Sequence, residues 1–400
     1  MIKSSKISIK YSNTNKKNNL KSFIDEYQKV MKLLIDILWY EVEIPKLITK
    51  QYTDQVKDKT WLTARAIQSA AKQVSAIIRG TKKKNEQRQY IHDKLVSEGQ
   101  FKKARKLKRI IEKNNYSKPI IDNICPELDV RLAKIDLDNE TSFDGWLHLS
   151  SLGNKLVFDI PFKRTKHFNK MNKLGKLKSG IRLLSNNEIC FNFELEDVPK
   201  KKSGKILGID IGIKKVISCS NSYQTKPDIH NWNLTKIQQK LARKKKGSKA
   251  FGKTQNHRNN YINWSINQLN LKDVMEVKIE NIKYLRKNVK SSRFMSHWNY
   301  TKIFDKLKDK CELSGVQITT VSPTYTSQRC SQCGWVRKTN RKGEQFKCTS
   351  CGFAADADLN ASKNISFNLP RISKKKRLLN YNRKGFYYNL IGEKRIVSHT

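Results

Sequence analysis

The spacing of apolar side chains changes its period along the chain, and those changes divide it. Leu20, Phe23, Ile24, Tyr27, Val30, Met31, Leu34, Ile37 and Leu38 recur at three-to-four spacing, which predicts an amphipathic helix from Leu20 to Tyr40. A second helix is predicted from about Leu62 to Arg79, with a small-residue face of Ala64, Ala66, Ala70, Ala71 and Ala76 and Gly80 as its C-cap. The stretch from about Lys84 to Asn114 is helical again but broken at Gly99, the pattern of a helical hairpin. Residues 6–11 alternate and read as one strand. From about Tyr116 to Lys200 the period falls to two. Leu156, Phe158 and Ile160 alternate, as do Ile189, Phe191, Phe193 and Leu195, between turn signals at Asp144-Gly145, Leu152-Gly153-Asn154 and Ser185-Asn186-Asn187. This predicts a β-rich segment, a small barrel that also takes in the first strand.

Lys200–Gly204 reads as a linker. Beyond it a buried strand is predicted over Lys205–Ile213, with Asp210 in the middle of the run. An unpaired carboxylate there carries a desolvation cost that cations or a metal would offset. Gly208 and Gly212 beside it read as room for a ligand near the backbone. A second strand (Lys215–Ser220), a loop with Trp232 and a long basic helical region around residues 241–251 follow. Next come a strand over Val274–Ile282 that carries Glu280, a helix over about Tyr300–Ser314 and a strand over Val316–Val321. Asp356-Ala-Asp358-Leu-Asn-Ala opens a last short helix, and the tail is basic, with Lys374-Lys375-Lys376-Arg377. Alternating strands and helices predict an α/β sheet with a site at one edge.

Charge narrows the function. Lys and Arg number 82 against 35 Asp and Glu, a formal net charge of +47 over 400 residues. Such an imbalance repels itself in the compact state unless a polyanion neutralises it, and nucleic acid is the obvious one. The candidate phosphate contacts fall in clusters. Lys102, Lys103, Arg105, Lys106 and Arg109 share one side of the hairpin. Arg164 and Lys166 lie in a basic stretch interleaved with aromatics, Arg243, Lys244, Lys245 and Lys246 in the later helical region. No run of 18 apolar residues spans a membrane, and the start lacks the hydrophobic region of a signal peptide, so the expected location is the cytoplasm.

Four of the eight cysteines form two matched pairs, Cys330-Ser-Gln-Cys333 and Cys348-Thr-Ser-Cys351, 14 residues apart and each followed by glycine. That spacing predicts a closed four-Cys zinc site that holds shape. Arg329, Arg337, Lys338, Arg341 and Lys342 around it are candidate contacts to an entering strand. Taken singly, Glu280 reads as an ordinary strand-end acid and Asp358 as a helix N-terminal acid. Taken together with Asp210 on so basic a chain, they read as three carboxylates held by two Mg²⁺ ions about 3.5–4 Å apart, suited to phosphodiester hydrolysis.

The motifs, in order, resemble a known family. Gly208-Ile-Asp210-Ile-Gly212, the segment 240–249, Ile279-Glu280-Asn281-Ile282, Tyr325-Thr-Ser-Gln-Arg-Cys330, Cys348-Thr-Ser-Cys351-Gly and Asp358-Leu-Asn-Ala are similar to TnpB, the transposon-encoded RNA-guided nuclease, and to the compact type V CRISPR effectors. The resemblance covers about residues 204–366 closely and the amino-terminal half only in layout. It implies a multidomain α+β protein. The first strand of a wedge β-barrel would occupy 1–15, a helical recognition domain 16–118 and the rest of the barrel 119–202. An RNase H-like (RuvC) α/β nuclease domain would follow over 203–325, with an inserted zinc ribbon for target loading at 326–354, its second part at 355–370 and a basic tail at 371–400. The resemblance assigns Asp210, Glu280 and Asp358 as catalytic acids, with Asp356 a near neighbour that could be confused for the last. It implies a guide RNA, target double-stranded DNA and a prokaryotic, nucleoid-associated setting. No cysteine precedes Cys125, so the amino-terminal zinc finger of some miniature effectors is missing, which points towards TnpB or an early intermediate. Two other readings stand beside it, a nuclease-dead RNA-guided repressor and an RNase H-like DNA transposase.

Overall fold

A computed structural model describes residues 1–115, 117–122, 125–137, 140–282, 293–370, 372–373, 378–379 and 384–389. The basic cluster at 374–377 and most of the expected tail lie outside the described residues. The chain divides into two compact units, Met1–Asp197 and Val198–Thr400. No described helix is long and apolar enough to cross a membrane.

The first unit begins with strand β1 (Ile2–Ser8), helix α1 (Thr14–Leu38) and a short helix α2 (Lys50–Lys57) that sequence periodicity did not reveal. Helix α3 (Ala64–Ser97) then runs straight through Gly80, which caps nothing. A Cβ at Gly80 would meet nothing within 4 Å, so the helix tolerates the residue there. The chain reverses instead at Gly99, whose φ of +68° suits glycine, and enters α4 (Phe101–Asn115). The apolar stripe of α1 is buried as its spacing predicts, with Tyr27 donating to Gln73 on α3 at 3.2 Å.

Strands β2 (Glu127–Leu128), β3 (Ala133–Asp136), β4 (Gly145–Leu149) and β5 (Phe158–Phe162), helix α5 (Lys166–Leu174) and strands β6 (Gly175–Leu184) and β7 (Glu188–Leu195) complete the unit. Two ladders form, β1-β7-β6-β2 and β3-β4-β5. Because β2 is two residues long, its ladder ends there, and no described ladder joins the two sheets into one barrel. An aromatic core joins them instead: Phe162 of β5 lies 5.1 Å from Phe191 of β7, and Phe168 of α5 lies 5.0 Å from Phe193. The basic stretch interleaved with aromatics is thus partly helix, its face closed by Phe168 and Met171.

The second unit is built on a four-stranded sheet, β11-β10-β8-β9. Strands β8 (Lys205–Asp210), β10 (Val274–Glu280) and β11 (Gln317–Val321) are parallel, and the short β9 (Ser218–Cys219) pairs with β8 antiparallel. Between β9 and β10 lie α6 (Leu234–Ala242) and α7 (Lys249–Asn267), with residues 243–248 as the turn between them, where a continuous helix was predicted. Helices α8 (Arg293–Ser296) and α9 (Tyr300–Leu313) return the chain to β11. A four-Cys segment follows with β12 (Trp335–Val336), β13 (Arg341–Lys342), β14 (Gln345–Lys347) and β15 (Ala354–Asp356), then helix α10 (Ala357–Ser366) and strand β16 (Phe386–Tyr387). Ile209, Val277, Ile279, Ile303 and Leu307 are fully buried between the sheet and its helices.

Candidate active site and metal centre

Three elements bring the acids to one place. Asp210 is the last residue of β8 and Glu280 the last of β10, and these strands are parallel neighbours, so both carboxylates leave the same edge of the sheet. Asp358 stands in the first turn of α10, which packs directly on β8. That packing explains Gly208: a Cβ there would lie 2.0 Å from the Ser362 carbonyl oxygen. The glycine makes room for a helix backbone and not for a ligand, which corrects the reading from sequence. Gly212 likewise serves the local turn, since a Cβ would lie 2.6 Å from the Lys215 carbonyl, and its own carbonyl accepts from Trp298 Nε1 at 3.0 Å.

All three acids line one cavity of about 740 Å³, together with Thr326, Arg341 and Glu344. Burial, followed by the Glu280 and Asp358 carboxylates, pushes the Asp210 carboxyl well above its usual range, and Arg341 only partly opposes this. Burial also raises Glu280, against the Thr326 hydroxyl and Arg341. The Thr326 hydroxyl donates to Glu280 Oε1, and the Tyr300 hydroxyl donates to the Glu280 carbonyl at 2.9 Å. Arg341 Nη2 donates to Asp358 Oδ1 at 3.0 Å. Asp356 is differently placed. It caps α10 by accepting from the N–H groups of Asp358 and Leu359 at 3.0 and 3.1 Å, and it takes Lys215 at 2.9 Å and Gln224 at 3.0 Å. Burial pushes the Asp356 carboxyl up, but Lys215, the backbone and Gln224 outweigh that and hold it below its usual range.

The carboxylates are an all-oxygen, hard donor set, the kind that suits Mg²⁺, with one guanidinium as the nearby countercharge. They are spread around the cavity more widely than the thiols. Among the described residues, Cys330, Cys333, Cys348 and Cys351 are the group whose ligand atoms all lie within 4.8 Å of one another. The Cys330–Cys351 and Cys333–Cys348 sulfurs are 3.7 and 3.6 Å apart. A tetrahedron with Zn–S bonds of about 2.3 Å has edges of about 3.8 Å, so the four thiols fit zinc without rearrangement. Gly334 and Gly352, at φ of +78° and +74°, close the two knuckle turns by donating to the Cys330 and Cys348 carbonyls at 3.0 and 3.1 Å.

The predicted phosphate contacts divide. Lys102, Lys103, Arg105, Lys106 and Arg109 are exposed on α4, and Lys166 is exposed at the start of α5. Arg243, Lys245 and Lys246 are exposed in the turn between α6 and α7, while Lys244 is half-buried. Arg164 is spent inside its own unit, donating to the Asp144 and Leu137 carbonyls at 3.0 and 3.1 Å. Arg337 is half-buried, and its Nε is sealed from solvent. Arg329 is a correction: it is 3% exposed and donates to the Tyr388 carbonyl, the Cys330 carbonyl and Asn364 Oδ1, so its guanidinium builds the interior. Sequence reasoning missed Arg341 and Thr326 as neighbours of the acids. For Thr326 a signal existed, since it stands inside the Tyr325–Cys330 motif; Arg341 reads from sequence only as a contact to an entering strand, because folding of the four-Cys segment is what brings it to Asp358.

A family profile described as Cas12f1-like, TNB domain, matches residues 300–365. A CRISPR-associated endodeoxyribonuclease Cas12f1 of Sulfoacidibacillus thermotolerans is 36% identical over 125 residues, 31% of this chain and 28% of that protein. A putative RNA-guided DNA endonuclease InsQ of Escherichia coli (strain K12) is 26% identical over 200 residues, 42% of this chain and 50% of that protein. The chain thus spans half or less of the length of these relatives. The structure is also similar to that of a Cas12f1–sgRNA–target DNA complex, with a TM-score of 0.51 at 17% identity over 88% of this chain and 83% of that one, a likeness of fold. In these parts the chain is similar both to proteins named Cas12f1 and to RNA-guided endonucleases of the InsQ kind.

Proposed function

We propose that this chain is an RNA-guided DNA endonuclease. The observation that carries the reading is the convergence of Asp210, Glu280 and Asp358 on one cavity from β8, β10 and α10, on a chain of net charge +47. In this reading 203–325 and 355–370 form an RNase H-like (RuvC) nuclease domain, and 326–354 is the zinc-bearing insert. Residues 1–15 and 119–202 are the wedge, and 16–118 are the recognition helices. Asp210 would serve both of two Mg²⁺ ions, Glu280 one and Asp358 the other, and the ions would supply an activated water and stabilise the leaving 3′ oxygen.

The protein's own part is to hold three carboxylates around one cavity. Asp210 is the most strained of them, because burial and two acidic neighbours favour its protonated form. Arg341 offsets part of that repulsion and orients Asp358. The exposed cations of α4 and of the turn at 243–246 grip nucleic-acid backbones, which leaves sequence choice to base pairing with a guide RNA. A full-length chain purified from its host should carry one discrete RNA species and cut DNA matching that RNA's guide in Mg²⁺. Cutting that survives RNase treatment would point instead to an RNA-independent nuclease or transposase.

A further inference from the structure

We infer that Thr326 is a positioning residue for Glu280, and that a buried lattice of Arg329, Asn360 and Asn364 fixes it to the zinc knuckle and to the helix that bears Asp358. The inference rests on the nuclease reading above and deepens it. Thr326 is 2% exposed and lies in the short connection between β11 and the first cysteine. Its hydroxyl has one proton to give. Glu280 Oε1 is the near acceptor, and the Pro323 carbonyl, at 3.3 Å, is the distant alternative. A carboxylate that accepts such a bond keeps one oxygen tied and presents the other in a fixed direction.

The hydroxyl is itself held in place. The Thr326 carbonyl accepts from Asn364 Nδ2 at 2.9 Å, and the same amide donates to the Arg329 carbonyl at 2.6 Å. Asn364 Oδ1 in turn accepts from Arg329 Nη1 at 2.7 Å, which closes a ring between the connection and α10. One turn earlier on that helix, Asn360 Nδ2 donates to the Arg329 carbonyl at 2.8 Å, and its Oδ1 accepts from the Ser331 N–H at 2.9 Å. Arg329, Asn360 and Asn364 are at most 3% exposed. Breaking one partner of so buried a net strands the others without solvent, so the net moves as a unit or not at all. Cys330 sits at one end of it, Asp358 two residues before Asn360 at another, and Glu280 is reached through Thr326. The four-Cys site therefore sets more than the shape of its own loops. It fixes the bond that aims Glu280.

The test uses the full chain and three variants. Thr326→Val keeps the shape and removes the proton; Thr326→Ser keeps the proton and removes the methyl. Binding of Mn²⁺, followed by loss of the free-ion EPR signal, is measured with Asp210→Ala as the baseline. Removing a hydrogen-bond partner of a metal ligand typically weakens binding about tenfold to a hundredfold. Thr326→Val should lose that much Mn²⁺ affinity relative to the parent, with zinc content and guided DNA binding unmoved, and Thr326→Ser should recover most of it. Parental Mn²⁺ affinity in Thr326→Val, or equal loss in Thr326→Ser, overturns the inference alone. Mn²⁺ binding that is the same in the parent and in Asp210→Ala overturns the metal reading and the inference with it.

Discussion

Arg341, on a strand of the four-Cys segment, places its guanidinium 3.0 Å from Asp358 Oδ1 at the head of α10. The cation thus reaches the acids from the inserted segment, not from the sheet that carries two of them. In the proposed site it does two things, fixing Asp358 and lowering the repulsion felt by Asp210 and Glu280. Preorganised positive charge at a phosphoryl site is worth on the order of 10²-fold in rate. Arg341→Ala should therefore cut cleavage by about that factor while guided DNA binding changes by a few-fold at most. Arg341→Lys should recover only part, since a point charge does not reproduce the guanidinium fork. Parental cleavage by Arg341→Ala would remove this residue from the site.

Asp356 and Asp358 are two residues apart and do different work. Asp356 caps the helix and holds Lys215, whereas Asp358 faces the cavity. Asp356→Asn keeps a side chain able to cap, and Asp356→Ala should lower stability by about 1 kcal/mol. Asp358→Ala should leave stability nearly intact and abolish cleavage. Melting and cleavage measured on the same preparations check both, and reversed effects would exchange the two roles.

Gly208 has no room for a side chain. Alanine there would place Cβ 2.0 Å from the Ser362 carbonyl, so α10 must move. Overpacking of this kind costs about 1–3 kcal/mol. Gly208→Ala should lower Tm and also reduce cleavage, because the displaced helix carries Asp358. A variant with parental Tm and activity would show that the helix tolerates the shift.

These contacts also mark how far the sequence could be read. The acids and thiols were legible because each sits in a short local pattern: an acid ending an apolar run, a Cys-x-x-Cys pair, an Asp opening a helix. Their convergence at one edge follows from β8 and β10 being parallel. The purpose of Gly208 was not legible, since the strand does not say that a helix arriving 154 residues later will lie against it. Nor was the fate of Arg329, which reads as a surface cation and is buried by three hydrogen bonds to partners up to 59 residues away. Gly80 misled in the opposite direction. Glycine marks a helix end only when the following chain needs to turn, and here α3 continues to Ser97 and packs along α4.

Asp210 makes stability depend on pH in a definite direction. Its carboxyl is raised in the fold above the ordinary value near 4. Between the two values the native protein holds a proton that the unfolded chain has released. Its contribution to stability is thus fully present below pH 4 and is lost as pH rises through the folded value. Asp210→Asn cannot lose that proton. In chelator at pH 8 the variant should melt above the parent, by about 2–4 °C for each kcal/mol regained, and the gap should narrow towards pH 5. A parent that melts higher than the variant at pH 8 would show that the carboxylate is already compensated.

The central claim is that the three acids act together as one metal-dependent cutting site directed by RNA. The most direct measurement compares the parent with Asp210→Ala, each assembled with its co-purified RNA on matching and mismatched DNA in Mg²⁺, with binding and cleavage read in parallel. The account predicts that both proteins bind the matching DNA within a few-fold of each other and that only the parent cuts it. Cleavage by Asp210→Ala, or cutting by the parent without regard to the RNA's sequence, would contradict it.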